Sequence, residues 1–282
     1  SPIKMTSDAT TPKPGDWGGL TLQGRSTWNQ AGGEVTTEFD TGKAGLASGA
    51  VSADNSGTIQ YTIIEFAGKK LTTTKEWNNL SLYAVGSGTT IHHLNVNRGS
   101  DDGVEFFGGT VNITYLLSFA NGDDMIDWTN GWTGYVQYGI AYLAKNDTTA
   151  SRDTDSNLVE ADNDSTSNDL TPRSNPVLAN IAFATDGGAN NTANSYARIF
   201  KFRVGTYGRI YNSVVDNTMG MKIAFESSST ISAVGSNVIA YGSAFRRTYA
   251  ADGSGTTLLT LTSGGDLAFA NTGNPAADAT TN

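Results

Sequence analysis

The sequence predicts an all-β chain wound as a right-handed parallel β-helix, with insertions leaving at its turns. Three observations carry this. First, Ser87–Gly131 is a tandem repeat. Ile91 answers to Ile113, Leu94 to Leu116, Asp101 and Asp102 to Asp123 and Asp124, Val104 to Ile126, Glu105 to Asp127 and Phe106 to Trp128, each pair 22 residues apart. A fixed period of that size marks stacked units that cannot bury their apolar faces alone. Second, apolar residues alternate within a unit, as in Leu94/Val96 and Val104/Phe106, which is strand and not helix periodicity. Third, 33 glycines with 38% hydrophobic and 16% charged residues suit a folded, turn-rich protein.

Taken in order, the frame is φ-x-x-φ-x-φ, with φ-x-φ eight residues further on. It begins at Trp17 (with Leu20 and Leu22) and returns at Ile59, Ile91, Ile113, Tyr135 (with Tyr138 and Ile140), Leu178, Ile210 and Val234 (with Ile239). The steps are 42, 32, 22, 22, 43, 32 and 24 residues. Strands keep their register while additions of about 10 or 20 residues leave as loops. The stretches without apolar period are Gln23–Ser56, Gly68–Asn79, Lys145–Pro176 and Asp186–Ser195, with a turn at Asp252–Gly255. Thr272–Asn282 reads as a frayed tail or linker after one β-helix domain over residues 1–271. The opening SPIKMTS reads as mid-strand, so a processing boundary with further coils upstream is expected. No segment has helix periodicity.

The charge narrows the partners. With 18 Lys+Arg against 27 Asp+Glu, the net charge of −9 argues against nucleic acid and against an anionic membrane surface. It favours divalent cations or neutral sugars. No run of 18 apolar residues crosses a membrane, so no insertion by this chain is expected. The absence of cysteine and the abundance of Thr, Ser, Asn and Gly lean towards an extracellular or cell-surface protein. An uncovered end coil would favour self-association through coil ends.

Strand alternation also sets an acidic face. Val104 and Phe106 point inward, so Glu105 points out, and Asp127 does the same between Ile126 and Trp128. Continuing the register gives one outward column of Ser81, Glu105, Asp127, Glu160, Lys201 and Ala224. Carboxylates on neighbouring strands about 4.8 Å apart repel by roughly 1 kcal/mol even in water. Nearby turns add Asp101, Asp102, Asp123, Asp124 and Asp162. Three readings follow. The Asp-Asp turns form a ladder of side-chain-to-backbone hydrogen bonds. Or Asp101, Glu105, Asp127, Glu160 and Asp162 hold Ca²⁺, whose ligands are carboxylate and carbonyl oxygens. Or shared protons raise a carboxyl pKa for acid–base chemistry.

Other signals are weak. Asp153–Asp164 places oxygen ligands at positions one, three, five and twelve but lacks the Gly and Glu of an EF-hand, so it reads as a polar loop. His92 and His93 read as exposed strand or turn residues, not a zinc site. Trp132 reads as a packed corner residue in preference to a sugar-stacking one. No nucleophile elbow and no phosphate loop is present, and no organic cofactor is implied.

Over Gly15–Phe225 the blocks GDWGGLTL, IIEFAG, AVGSGTTI, SDDGVEFFGGTVN, GDDMIDWTNGWTG, VEADND and PRSNP resemble a group of secreted or surface bacterial proteins described as β-helix or hypothetical lipoproteins. That resemblance implies a β-helix of pectate-lyase-like architecture and an outside location, with no mechanism. A local resemblance is to polygalacturonases, also right-handed parallel β-helices. SDDG followed one coil later by NGDD is similar to their paired aspartate motifs. It implies Asp102, Asp123 and Asp124 as catalytic carboxylates that protonate the glycosidic oxygen and activate water. That family's Gly-His-Gly is replaced by Ala144–Thr149, and its Arg-x-Lys is echoed in reverse by Lys201-Phe202-Arg203. A calcium-dependent polysaccharide lyase would use Arg98 or Arg203 as base. The leading expectation is a non-catalytic, secreted, surface, matrix or filament-type β-helix, structural or adhesive and calcium-stabilised. The alternative is a carbohydrate-active β-helix, a polysaccharide hydrolase, lyase or binder that uses the stacked aspartates.

Overall fold

Two stacks of parallel strands form the body of the molecule. The computed structural model describes residues 1–30, 34–37, 43–45, 50–72, 75–144, 156–186, 198–216, 222–246, 257–261 and 267–271. The long-strand sheet runs Ile3–Met5, Thr58–Glu65, Thr90–Asn97, Asn112–Phe119, Tyr135–Leu143 and Val177–Thr185. It continues through the broken strands Gly208–Tyr211/Val214–Asp216 and Val238–Tyr241/Ala244–Arg246. The short-strand sheet runs Leu20–Gln23, Leu80–Tyr83, Val104–Phe107, Ile126–Thr129, Val159–Ala161, Arg198–Phe202 and Lys222–Phe225. Each coil but the last contributes a strand to each sheet among the described residues, which is a parallel β-helix. No helix of the described residues is long and apolar enough to cross a membrane.

The spacing φ-x-x-φ-x-φ has a backbone cause. The fourth residue of the long strand sits at positive φ in coil after coil, at Tyr61 (50°), His93 (52°), Tyr115 (57°), Tyr138 (62°) and Asn180 (57°), and Asn212 (46°) does the same in the break between Gly208–Tyr211 and Val214–Asp216. One left-handed residue resets the two-residue alternation, so Ile91 and Leu94 both face inward across a gap of three. Columns of like residues then stack inside. Leu20, Leu80, Val104, Ile126, Val159, Phe200 and Ile223 form one, and Leu22, Leu82, Phe106, Trp128, Ala161, Phe202 and Phe225 another. Buried corner amides satisfy turn backbone between coils. Asn79 donates to Asn121 at 2.8 Å, and Asn121 Oδ1 accepts the Gly99 N–H at 3.2 Å.

The repeat Ser87–Gly131 pairs as read, with Ile91 on Ile113, Val104 on Ile126 and Glu105 on Asp127. The next coil differs from the expectation. Val136, not Tyr135, pairs with Ile113, and Ala141 pairs with Ser118. Tyr135, Tyr138 and Ile140 therefore face solvent, while Val136, Ala141 and Leu143 are buried. The turn before this strand holds one extra residue, and a one-residue slip turns every side chain to the other face. Trp132 absorbs the slack. Its ring stacks on Phe106 at 3.7 Å, and its Nε1–H donates to the Val111 carbonyl at 3.0 Å, so it is a packed corner residue. The last coil is also corrected. Ala240, not Val234, pairs with Ile210, because the one-and-a-half-turn helix Ser228–Ala233 intervenes.

Within the first insertion, Glu34–Thr36 and Lys43–Gly45 pair antiparallel, where a loop was expected. Thr257–Leu261 and Leu267–Asn271 form a second antiparallel pair. The expected turn Asp252–Gly255, the tail Thr272–Asn282, most of Asp186–Ser195 and the segment 145–155 lie outside the described residues.

Candidate functional site

The outward column of the short-strand sheet is assembled by strand register alone. Thr21, Ser81, Glu105, Asp127, Glu160, Lys201 and Ala224 are successive partners. In-register parallel strands hold such neighbours about 4.8 Å apart. The column is not a solvated strip: Ser81, Lys201 and Ala224 are buried, and the three carboxylates are half-buried.

Each carboxylate has a different surrounding. Glu105 accepts from Asn78 Nδ2 at 2.6 Å. Glu160 pairs with Lys201 Nζ at 2.9 Å and with Arg203, whose Nε also donates to Asp162 Oδ1 at 2.7 Å. Between them stands Asp127. Its Oδ1 is buried and accepts no hydrogen bond from the described residues. Burial, then Glu160 and Asp162, push the Asp127 carboxyl well above the ordinary carboxylate range, with Arg203 opposing. Asp162 is pushed up to about 6, by burial first, against the pull of Arg203.

A second column lies in the turn just before these strands. The Asp102 N–H donates to Asn78 Oδ1 (3.3 Å), the Asp124 N–H to Asp102 Oδ1 (2.8 Å), the Asn157 N–H to Asp124 Oδ1 (2.5 Å) and the Arg198 N–H to Asn157 Oδ1 (2.7 Å). Asn78, Asp102, Asp124 and Asn157 thus form a ladder in which each side-chain oxygen accepts the backbone of the next coil. Asparagine serves at both ends, so the ladder needs an oxygen and not a charge. Asp102 and Asp124 are nonetheless carboxyls, 5% and 2% exposed. Burial raises both well above the usual range. Asp101 and Asp127 add to this at Asp102, and Asp123 and Glu160 at Asp124.

Carboxylate oxygens converge in three groups, each within 4.8 Å: Asp101–Asp102–Asp123, Asp102–Glu105–Asp127 and Asp124–Asp127–Glu160. Asp102 and Asp127 each belong to two groups, so one chain of carboxylates spans three consecutive coils. With Asp162 the cluster holds eight carboxyls, and Lys201 and Arg203 pair with Glu160 and Asp162 at one end of it. That excess calls for a cation or for protons. The donors are all oxygen, which fits a hard divalent ion such as Ca²⁺ and not a soft metal. Asp162 stands apart from these three groups, held by Arg203.

Other candidates lie elsewhere. Of the two arginines considered as bases, Arg98 stands over the Phe119 ring at 5.2 Å and donates to Asn97 Oδ1 at 3.2 Å, while Arg203 pairs with Glu160 and Asp162 in the strip. In the loop ending at Asp164, Asp153 to Asp155 lie outside the described residues. Asp164 Oδ1 accepts the N–H groups of Thr166 and Ser167 at 2.9 and 2.8 Å as a turn cap. His92 and His93 sit on the long-strand sheet, their Nδ1 atoms 2.8 Å apart.

The reading from residues missed two features. The asparagine ends of the ladder carry no acidic signal. On the opposite sheet, Tyr61, His93, Tyr115 and Tyr138 stack in sequence, with ring centroids 4.5, 4.5 and 5.2 Å apart. Their sequence spacings follow the coil steps and could have revealed the row.

A family model described as a pectate-lyase-like beta helix domain matches residues 1–268. No curated protein and no solved structure matches the chain.

Proposed function

The chain belongs to the pectate-lyase-like beta helix domain family, and on that premise we propose a non-catalytic extracellular β-helix of the bacterial surface or matrix, stabilised by a divalent cation, calcium by ligand chemistry. Domains of this family are typically extracellular. The observation that carries the cation is Asp127 Oδ1, buried without a donor between two carboxylates in register. Asp102, Glu105 and Asp127 would be the ligands of one position, and Asp124, Asp127 and Glu160 of the next. A cation there removes the repulsion along the column and ties consecutive coils together.

The case against catalysis rests on the same residues. A hydrolase built on Asp102, Asp123 and Asp124 needs carboxyls that reach a glycosidic oxygen and a water. Asp102 and Asp124 are buried and already bound to the backbone of the next coil. A lyase needs an arginine able to give up its proton. Burial favours the neutral form of Arg203, but Asp162 and Glu160 outweigh it and hold the guanidinium well above its ordinary value.

Thermal melting with Ca²⁺ and with a chelator tests the reading. Calcium at 100 times its dissociation constant adds about 2.7 kcal/mol, expected as a rise in Tm of several degrees. Asp127→Asn should abolish most of that rise. Identical melting with calcium and chelator would refute the metal. A broad panel of acidic and neutral polysaccharides, assayed for new reducing ends and unsaturated products, tests the absence of catalysis. A product that disappears in Asp124→Asn would establish the hydrolase instead.

A further inference from the structure

We propose that the outer face of the long-strand sheet seats the same face of a second copy of this chain. This face lies opposite the acidic strip and does not depend on the proposed cation. It carries a group of large exposed apolar side chains: Tyr61, Tyr115, Tyr138, Ile140 and Val214 are each 44–56% exposed there. Soluble monomers rarely leave a contiguous apolar patch of more than a few hundred Å² uncovered.

Charge identifies the occupant. Three columns run up the centre of the face, from Gln60 to Tyr211, from Tyr61 to Asn212 and from Ile63 to Val214. None of these positions is a carboxylate, although the chain carries 27. Carboxylates enter only at the margin, at Glu65 (paired with Lys4 at 2.6 Å) and Asp216. A second copy with net charge −9 is repelled by much of this acidic molecule and meets no carboxylate in these three central columns.

Size agrees. A strand of eight residues at about 3.3 Å each, across the six strands these columns pass through at about 4.8 Å each, gives roughly 26 by 29 Å. That is about 750 Å², against about 800 Å² per partner in a standard stable interface. One patch meeting itself about a twofold axis is the commonest form of soluble oligomer.

The backbone adds a second observation. Tyr61, His93, Tyr115 and Tyr138 hold positive φ, which costs a non-glycine residue about 1 kcal/mol or more, while Asn180 and Asn212 fill the same column in the next two coils. Asparagine is the residue this backbone favours. Aromatic rings stand there instead, stacked and half exposed, as a rigid row that loses little freedom on docking.

Sedimentation equilibrium of the full chain at micromolar concentration, in chelator, tests this independently of calcium. The expected result is twice the chain mass. Ile140→Glu, at the centre of the face, should weaken the dimer about 100-fold, because each dimer then buries two unpaired carboxylates. Val51→Glu, also at an exposed position but off this face, should leave the dimer intact. Far-UV circular dichroism should be the same for all three proteins. A monomer at every concentration overturns the proposal, as does a dimer indifferent to Ile140→Glu. A monomer whose tyrosine fluorescence responds to a neutral oligosaccharide or to zwitterionic lipid vesicles overturns it in favour of that ligand.

Discussion

Asp102 separates two roles within one side chain. Its Oδ1 accepts the Asp124 N–H, and its carboxyl charge adds to a cluster already rich in carboxylates. Asp102→Asn keeps the acceptor and removes the charge. Without calcium at neutral pH, that variant should be at least as stable as the parent in urea unfolding. Asp102→Ala leaves a buried N–H unsatisfied and should lose about 1–3 kcal/mol. With calcium present the order of parent and Asp102→Asn should reverse. A parent that is more stable than Asp102→Asn in chelator would show that the charge serves the ladder itself.

At the scale of single elements, the turn before Tyr135–Leu143 decides which face of that strand is buried. Trp132 fills the extra length by stacking on Phe106 and bonding to Val111. Trp132→Ala should cost about 3–5 kcal/mol, measured as a lower urea midpoint. A loss under 1 kcal/mol would mean the register is held elsewhere. Gly134 has a separate constraint, since a Cβ there would lie 1.9 Å from the Val111 carbonyl oxygen. The sequence pattern misread this strand for a physical reason. Tyr135, Tyr138 and Ile140 are larger than Val136, Gly139 and Ala141, and they fit a 22-residue step. Only the room taken by a buried indole one turn earlier distinguishes the two registers.

For the whole molecule, stability and pH are linked through the carboxylate cluster. The folded-state pKa values of Asp102, Asp124, Asp127 and Asp162 lie above the ordinary 3.8, that of Asp162 at about 6. At these four groups the folded protein therefore binds more protons than the unfolded chain above about pH 4, and their contribution to stability falls as pH rises. That contribution is complete below pH 3.8 and is lost as pH climbs through the folded values. Metal-free melting temperature should drop between pH 4 and pH 7, and calcium should flatten the drop. A metal-free Tm that rises over this range would show that the cluster is ionised without cost. Stacked coils also contact only their neighbours, so protection in hydrogen exchange should be highest in the central coils, from Leu80 to Thr129, and lower towards either end. Uniform protection along the solenoid would contradict this.

Much of this architecture was legible in residues 87–131, because in-register stacking turns a local two-residue alternation into a global period. The acidic column from Ser81 to Ala224 followed from the same alternation, and the strand pairs run through those residues. The tertiary structure alone decided three things: the register after the Trp132 turn, the partners of Asp102 and Asp124, and the aromatic row with its carboxylate-free face. Each depends on atoms meeting across coils, 21 or more residues apart. Alternation within a strand says which way a side chain points. It does not say what waits there, since that is set by turn lengths and by the backbone of the next coil.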